Sequence, residues 1–440
     1  MFKKKFKSLD KRHTADIFLK RPDKYREIEI LTSNAKNLIT MGSGKSYVAA
    51  SFKKDNLSLQ FSKFDRIINF NKKDKTIILE AGIKLSDLLN FTLKHRLWMP
   101  QIPGYPSITL GVAVAANVHG KSSGIHGSLR NQIKSIKIFH KTHGWLNLSE
   151  NEHKEIFELT IGGFGLTGTI VNVELKLVDI KGNNFTTTIE KVNSARDTVN
   201  KLNINDLDNI FCYSWNKTNN KKKLGEGLIF KNKINENNTE ISLNDIGHKT
   251  NKIHQYFPLN LWNKHSINFF QNIYFNYYNF YKKKIINDDL KSVIFPYAGK
   301  ETYFHMFGNN GFIESQILVP LLKVDIFLDE LDYNFKNIAP EITLFSIKKI
   351  LDKDLLLRFS GEGVCFTFDF INNQKNIIFL NKLDEICIKH QLKPSIIKDS
   401  RLNSDTVQKC YKEYDIFKKT LLDFDNKRIY RSELSERIGL

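Results

Sequence analysis

The chain has 440 residues, 41% of them hydrophobic and 12% aromatic, enough to bury a substantial core and to exclude a disordered or low-complexity protein. Its formal charge of +20 is carried by lysines scattered among asparagines and isoleucines, with no helix-turn-helix, zinc-finger or RNP-type motif to organise them, so nucleic acid is not expected as a partner. Four cysteines (Cys212, Cys365, Cys387, Cys410) with no CxxC pair argue against a disulfide framework or a zinc site, no metal is expected, and no apolar run reaches the roughly 20 residues of a membrane span.

The opening MFKKKFKSLDKRH is basic with no hydrophobic region behind it, which predicts a cytoplasmic protein. Phe2 and Phe6, interleaved with Lys3 to Lys5 and Lys7, are compatible with peripheral contact at the inner face of a membrane. Residues 26 to 40 read as a strand and its approach, followed by a glycine turn from Met41 to Tyr47. That turn, GSGKS, is not a phosphate loop, because Ile39 stands where the first glycine of G-x-x-x-x-G-K-S is required. Nor is it a dinucleotide fingerprint, which needs a glycine at Tyr47. It leaves backbone amides able to hold a pyrophosphate, a property shared with any tight turn. FDRIINF and TIILEAGI read as strands, and LSDLLNFTLKHRL as a helix with Ser86 as N-cap and Leu85, Leu88, Leu89 and Leu93 at helical spacing.

Residues 98 to 179 are rich in small side chains: Gly111, Ala113, Ala115 and Ala116, the triplet His119 to Lys121, and Gly162, Gly163, Gly165 and Gly168 feeding a strand. Such a stretch lets a large flat ligand lie against backbone. Residues 216 to 255 are the most polar and read as a mobile loop or insertion, and the aromatic run from Phe269 to Tyr281 as a packed helix face. FIESQILV and VCFTFDFI read as strands of a second, mainly antiparallel domain with flanking helices.

In their order, GSGKSY, FDRIINF with TIILEAGIKLSDLL, PGYPSITLGVAVAANVHGKSSGIHGS and ELTIGGFGLTGTIVNVELKL resemble the PCMH-type FAD-binding domain of the vanillyl-alcohol oxidase family of flavin oxidoreductases. Within that family FIESQILVP, FSGEGVCFTFDF, IIKDSRL and YRSELSERIGL are similar to the branch that oxidises the 2'-hydroxyl of polyprenyl-phosphate-linked ribose. The resemblance implies an α+β fold: a two-part FAD-binding domain over residues 1–180, a substrate or cap domain over 181–390 with a mainly antiparallel sheet flanked by helices, and a segment 391–440 returning to the FAD domain. It implies FAD contacts from Gly42, Ser43, Gly44, Lys45, Ser46 and Tyr47, from Pro103, Gly104, Thr109, Gly111, Ala116 and Asn117, and from Gly163, Gly165 and Thr167. Relatives that attach FAD covalently use a histidine in the first turn; Lys45 stands there, so dissociable FAD is expected. Val48 and Ala49 replace a usual Gly-Asp, which puts one polar contact to the cofactor in doubt.

Oxidising a secondary alcohol requires a group to take the hydroxyl proton while hydride moves to the flavin. Lys398 is the leading candidate, against a structural role in a salt bridge with Asp399 or a neighbour, and His119 is the alternative acceptor. Lys121, Gln316, Lys348 (ambiguous by one with Lys349) and Cys365 are the expected substrate contacts. The implied substrate is a sugar, lipid-phosphate-linked, whose keto product passes to a separate NAD(P)-dependent reductase. The alternatives are an oxidase of free alditols or aldonolactones and, in another class, a polyanion-binding protein without enzymatic activity.

Overall fold

In the computed structural model the described residues are 3–202, 209–219, 224–236, 240–241, 259–280, 286–295 and 302–440. Helices and largely antiparallel sheets are mixed throughout. One four-stranded sheet runs in the order Lys3–Lys7, Thr14–Lys20, Leu57–Gln60, Leu38–Met41, its first pair antiparallel and the others parallel. Beside it an antiparallel sheet takes the order Ile67–Asn71, Thr76–Glu80, Thr169–Lys176, Ile133–His140, Gly144–Ser149. Alternation explains the latter: Ile77 and Leu79, and Val171, Val173 and Leu175, all buried, face one core with Leu85, Leu88 and Leu89 of the Leu85–Leu93 helix.

Two further sheets follow. Phe211–Asn216, Gly227–Ile234, Asn184–Val192 and Ile286–Asp289 form one. Ile342–Leu351, Glu362–Ile371, Phe312–Val319 and Lys393–Pro394 form the other, and its two faces differ sharply. Ile313, Ile317, Phe366, Phe368, Phe370 and Phe345 bury one face under the Val324–Ile338 and Gln374–His390 helices, in a core with Phe327, Leu331, Phe379 and Leu383. The alternate residues, Glu314, Gln316, Cys365, Thr367 and Asp369, make the opposite face polar. The chain ends beside its start: Leu38 N–H donates to Ile429 O, Arg431 N–H donates to Leu38 O, and Tyr430 OH donates to Phe139 O at 3.0 Å.

Several local expectations are corrected. Residues Tyr25–Asn34 are a helix, because Tyr25, Ile28 and Thr32 recur at helical spacing on the face turned to the core; only Leu38–Met41 is strand. Ser86 lies inside its helix with Lys84 at the N-cap, and its N–H donates to Pro106 O instead. The aromatic run falls on the Lys264–Phe280 helix, but only Ile267, Gln271 and Phe275 are buried, while Phe269, Phe270, Ile273, Tyr277 and Phe280 face outward; Tyr281 lies outside the described residues. Within 216–255, Gly227–Ile234 is an inner strand of its sheet and much of the remainder lies outside the described residues. Phe6 stacks edge-on against Phe52 at 5.3 Å and lies under Gly44, so its ring is turned to the protein; Phe2 lies outside the described residues. All four cysteines are free. No helix among the described residues is long and apolar enough to cross a membrane.

Candidate active site

The Met41–Tyr47 turn leaves the end of a parallel strand and runs against the start of the Leu110–Ala115 helix. A Cβ on Gly42 would overlap the Thr109 hydroxyl and come within 2.6 Å of Val112 Cγ2, and one on Gly111 would lie 2.9 Å from Ala81 Cβ. Gly44 (φ +68°) and Gly165 (φ +78°) take the left-handed conformation that glycine adopts without strain. The Ser43 hydroxyl is held by Ser107 O, and Ser46 Oγ accepts from Ala50 N–H at 3.1 Å. Between these segments lies a cleft of about 260 Å³ lined by the turn, Ala81, Pro103, Gly104, Thr109, Gly111, Ala115, Ala116, Gly165, Gly168 and Ile170.

The same cleft is lined by His119, Gln316, Lys348 and Lys398, which form the polar end. Lys348 Nζ lies 3.1 Å from His119 Nδ1. Gln316 Nε2 donates to Glu314 Oε1 at 2.7 Å, and Lys398 Nζ pairs with the same oxygen at 3.0 Å while sitting 4.3 Å from the Tyr47 ring centre. Burial, then the neighbouring Lys348 and Lys398 charges, push the His119 imidazole well below its usual range, so it is neutral at neutral pH. An ammonium at Lys348 can only donate to Nδ1, which assigns the ring proton to Nε2. Burial likewise lowers Lys348 and raises the Cys365 thiol, which therefore stays protonated.

A family profile for an FAD binding domain matches residues 25–148. Decaprenylphosphoryl-beta-D-ribose oxidase of Mycolicibacterium smegmatis is 22% identical over 428 residues, 92% of this chain and 90% of that protein. This chain carries an FAD-binding domain and is an FAD-dependent oxidoreductase. Two other relatives match a shorter region of it. L-gulonolactone oxidase of Scyliorhinus torazame is 29% identical over 154 residues, 34% of each chain. A mitochondrial L-galactono-1,4-lactone dehydrogenase of Oryza sativa subsp. japonica is 22% identical over 144 residues, 33% of this chain and 24% of that protein.

The flavoprotein's cleft suits FAD. Its lining is rich in glycine and alanine, so a flat ligand can lie close to backbone there, and the backbone amides of such a glycine turn can hold a pyrophosphate. Of the residues expected to touch cofactor or substrate, Gly42 to Tyr47, Pro103, Gly104, Thr109, Gly111, Ala116, Gly165, His119, Gln316, Lys348 and Lys398 line it. Strand alternation resolves the lysine pair, since Lys348 faces the cleft while Lys349 lies against Gly124.

Five expected residues are not among those lining the cleft. Asn117 (φ +41°) holds a turn, its Nδ2 donating to Ser128 Oγ and its Oδ1 accepting from Arg130 N–H, both at 3.0 Å. Gly163 is required because a Cβ would collide with Leu159 O, and the buried Thr167 hydroxyl shares a hydrogen bond with Thr160 at 2.9 Å. Lys121 donates to Val293 O at 2.5 Å with Nζ 3.9 Å from the Tyr213 ring; burial, with Lys348 next, lowers it to about 7. Cys365 is packed with Leu318, Ile350 and Phe359. Asp399 does not pair with Lys398; it pairs with Arg401 at 2.8 Å, which also holds Asp384.

Sequence reasoning missed Glu314, although it lies two residues before Gln316 and a strand turns both to one face. It also missed Phe164, a cleft residue at φ +57°, because no bulky side chain advertises a left-handed backbone.

Proposed function

We propose that this flavoprotein oxidises a secondary hydroxyl of a sugar carried on a polyprenyl phosphate, a pentose in the first instance, and leaves a keto sugar for a separate NAD(P)-dependent reductase. The observation that carries the reading is the row Lys348, His119, Gln316, Glu314 and Lys398 at the polar end of a glycine-lined cleft. It is supported by the extent of the likeness to the decaprenylphosphoryl-ribose oxidase, which runs through both halves of the chain, whereas the likeness to lactone oxidases covers about a third. On this reading residues 1–180 and the returning 391–440 make a two-part FAD-binding domain, residues 181–390 the substrate domain, and the membrane that holds the polyprenyl lipid is the surface at which the enzyme works.

The Gly42 to Tyr47 turn and the Pro103 to Ala116 segment hold FAD, without a covalent link because Lys45 offers no imidazole. Bound FAD supplies the acceptor for the carbinol hydride. Lys398, beside Tyr47, holds the hydroxyl oxygen and receives its proton. His119 presents Nε2–H as a donor, since Nδ1 is engaged by Lys348, and so orients the substrate oxygen without serving as base. Lys348 supplies positive charge for the phosphate. Lys121, bonded to Val293 O, belongs to the wall behind His119.

Anaerobic mixing with a short-chain prenylphosphoryl ribose is the test, with L-gulono-1,4-lactone in parallel. Bleaching of the flavin absorbance by the prenylphosphoryl sugar alone is expected. Bleaching by the lactone alone would replace the polyprenyl reading with a lactone oxidase, and bleaching by neither would remove both.

A further inference from the structure

Glu314 and Asp369 are register partners on the adjacent antiparallel strands Phe312–Val319 and Glu362–Ile371. Side chains so paired share one face with Cβ atoms roughly 5 Å apart. Both are buried, Glu314 at 7% exposure and Asp369 at 2%. Glu314 Oε1 takes Lys398 Nζ at 3.0 Å and Gln316 Nε2 at 2.7 Å. Asp369 Oδ2 accepts from Tyr303 OH at 2.8 Å, and that hydroxyl also lies 2.7 Å from Thr343 Oγ1. Asp369 Oδ1 is buried with no hydrogen-bond partner. Among the described residues, Lys398 is the one cation within ion-pair distance of either carboxyl.

Two adjacent buried carboxylates facing one ammonium leave a net negative charge and an orphaned oxygen, both costly. A proton on Asp369 Oδ1 directed at Glu314 removes the orphan and the like-charge repulsion together, as in other carboxyl pairs that hold one proton. The remaining ionisable groups near the pair are Lys348 from the flanking strand Ile342–Leu351, Cys365 from the strand that carries Asp369, His119 beyond Gln316, and Tyr303. Burial, with Glu314 next, raises the Asp369 carboxyl well above its usual range.

We propose that Glu314 and Asp369 hold a single proton between them and act, through Lys398, as the destination of the proton that leaves the substrate hydroxyl. The proposal rests on the alcohol-oxidation reading above. Lys398 first passes a proton to Glu314, breaking N–H and forming O–H. The neutral amine then takes the hydroxyl proton as the carbinol carbon gives up its hydride, with the electron pair, to FAD and the C=O bond forms. Lysine ends as an ammonium and the carboxyl pair holds one proton more than at the start. Glu314 is thus a positioning and proton-accepting residue behind Lys398.

Infrared spectroscopy of the FAD-loaded protein without substrate tests the shared proton. A carboxylic-acid C=O stretch at neutral pH, shifted in D2O and missing from Asp369→Asn, is expected; its absence from the unsubstituted protein overturns the proposal whatever the substrate proves to be. Stopped-flow bleaching by short-chain prenylphosphoryl ribose tests the relay. Glu314→Gln is expected to slow bleaching about 100-fold and abolish the acid limb of its pH profile, with the Kd of the sugar within about threefold. Asp369→Asn is expected to keep bleaching but move that limb. An unchanged rate and profile in both variants would sink the relay. Failure of the unsubstituted enzyme to bleach removes the substrate reading and the relay with it, while the infrared band still decides the shared proton.

Discussion

Lys45 sits in the glycine turn with Nζ 5.4 Å from the Tyr105 ring centre, in a place where an imidazole would be needed to bond FAD. Acid precipitation should therefore release the yellow colour into the supernatant; colour retained in the pellet would contradict a dissociable cofactor. Lys398 is tested by Lys398→Ala, which removes the cation from a buried glutamate. Flavin reduction by the prenylphosphoryl sugar should fall by about 100-fold or more while the visible spectrum of bound FAD persists. Stability should drop by about 2 kcal/mol, less than for a fully buried pair because Lys398 keeps some contact with water, as urea unfolding would measure. His119 gives a pH prediction with a definite sign. Its folded-state pKa lies well below the unfolded value of about 6.5, so on acidification the unfolded chain takes up a proton that the folded one refuses. Stability is full above about pH 6.5 and is lost progressively as pH falls toward the folded value, a slope that His119→Gln should lack in unfolding measured at successive pH values.

At the level of elements, the cleft depends on the turn after Leu38–Met41 meeting the Leu110–Ala115 helix with no side chain between them. Gly42→Ala would drive a methyl into the Thr109 hydroxyl and Val112. Weakening of FAD binding by at least about tenfold, or 1.4 kcal/mol, is expected together with a lower apoprotein melting temperature; unaltered FAD affinity in a titration would show that the loop can yield. Both contacting segments were legible in the sequence, because glycine clusters mark close backbone approach directly. The strand Phe312–Val319 was legible as a strand but not as the carrier of Glu314, since an ion pair with Lys398 joins residues 84 positions apart, and spacing along the chain carries no record of it. Tyr25–Asn34 was misread because short apolar runs suit either period until their partner surface is known. Lys121 marks a different limit: a motif located it beside His119 but could not reveal that Val293 O, from a helix some 170 residues later, would accept from its Nζ.

Across the whole molecule, Arg358 joins the later sheets to the earlier ones. It follows the Ile342–Leu351 strand, is 4% exposed at its side chain, and reaches the Lys154–Thr160 helix, where Nε donates to Ile161 O at 2.8 Å and Nη2 to Glu158 O at 2.5 Å and to Glu158 Oε2 at 2.6 Å. Arg130 completes the bridge from the other side, with Nη2 at 2.6 Å from Glu158 Oε1. Burial alone would raise the Glu158 carboxyl, but hydrogen bonds from Arg130 and Arg358 outweigh it and hold the group below its usual value. The bridge therefore stabilises fully above the unfolded glutamate pKa of about 4.3, and its contribution disappears as pH falls through the lower folded value. Arg358→Leu leaves two backbone carbonyls without a donor and removes the shorter of the two hydrogen bonds to Glu158 Oε2, which predicts a loss of about 3 kcal/mol at pH 7 in urea unfolding of the FAD-saturated protein. The difference between the two proteins should narrow when the measurement is repeated near pH 3, because protonated Glu158 no longer rewards the arginine. Equal stability at pH 7 would mean that the earlier and later sheets are held together by their apolar contacts, with Arg358 filling space.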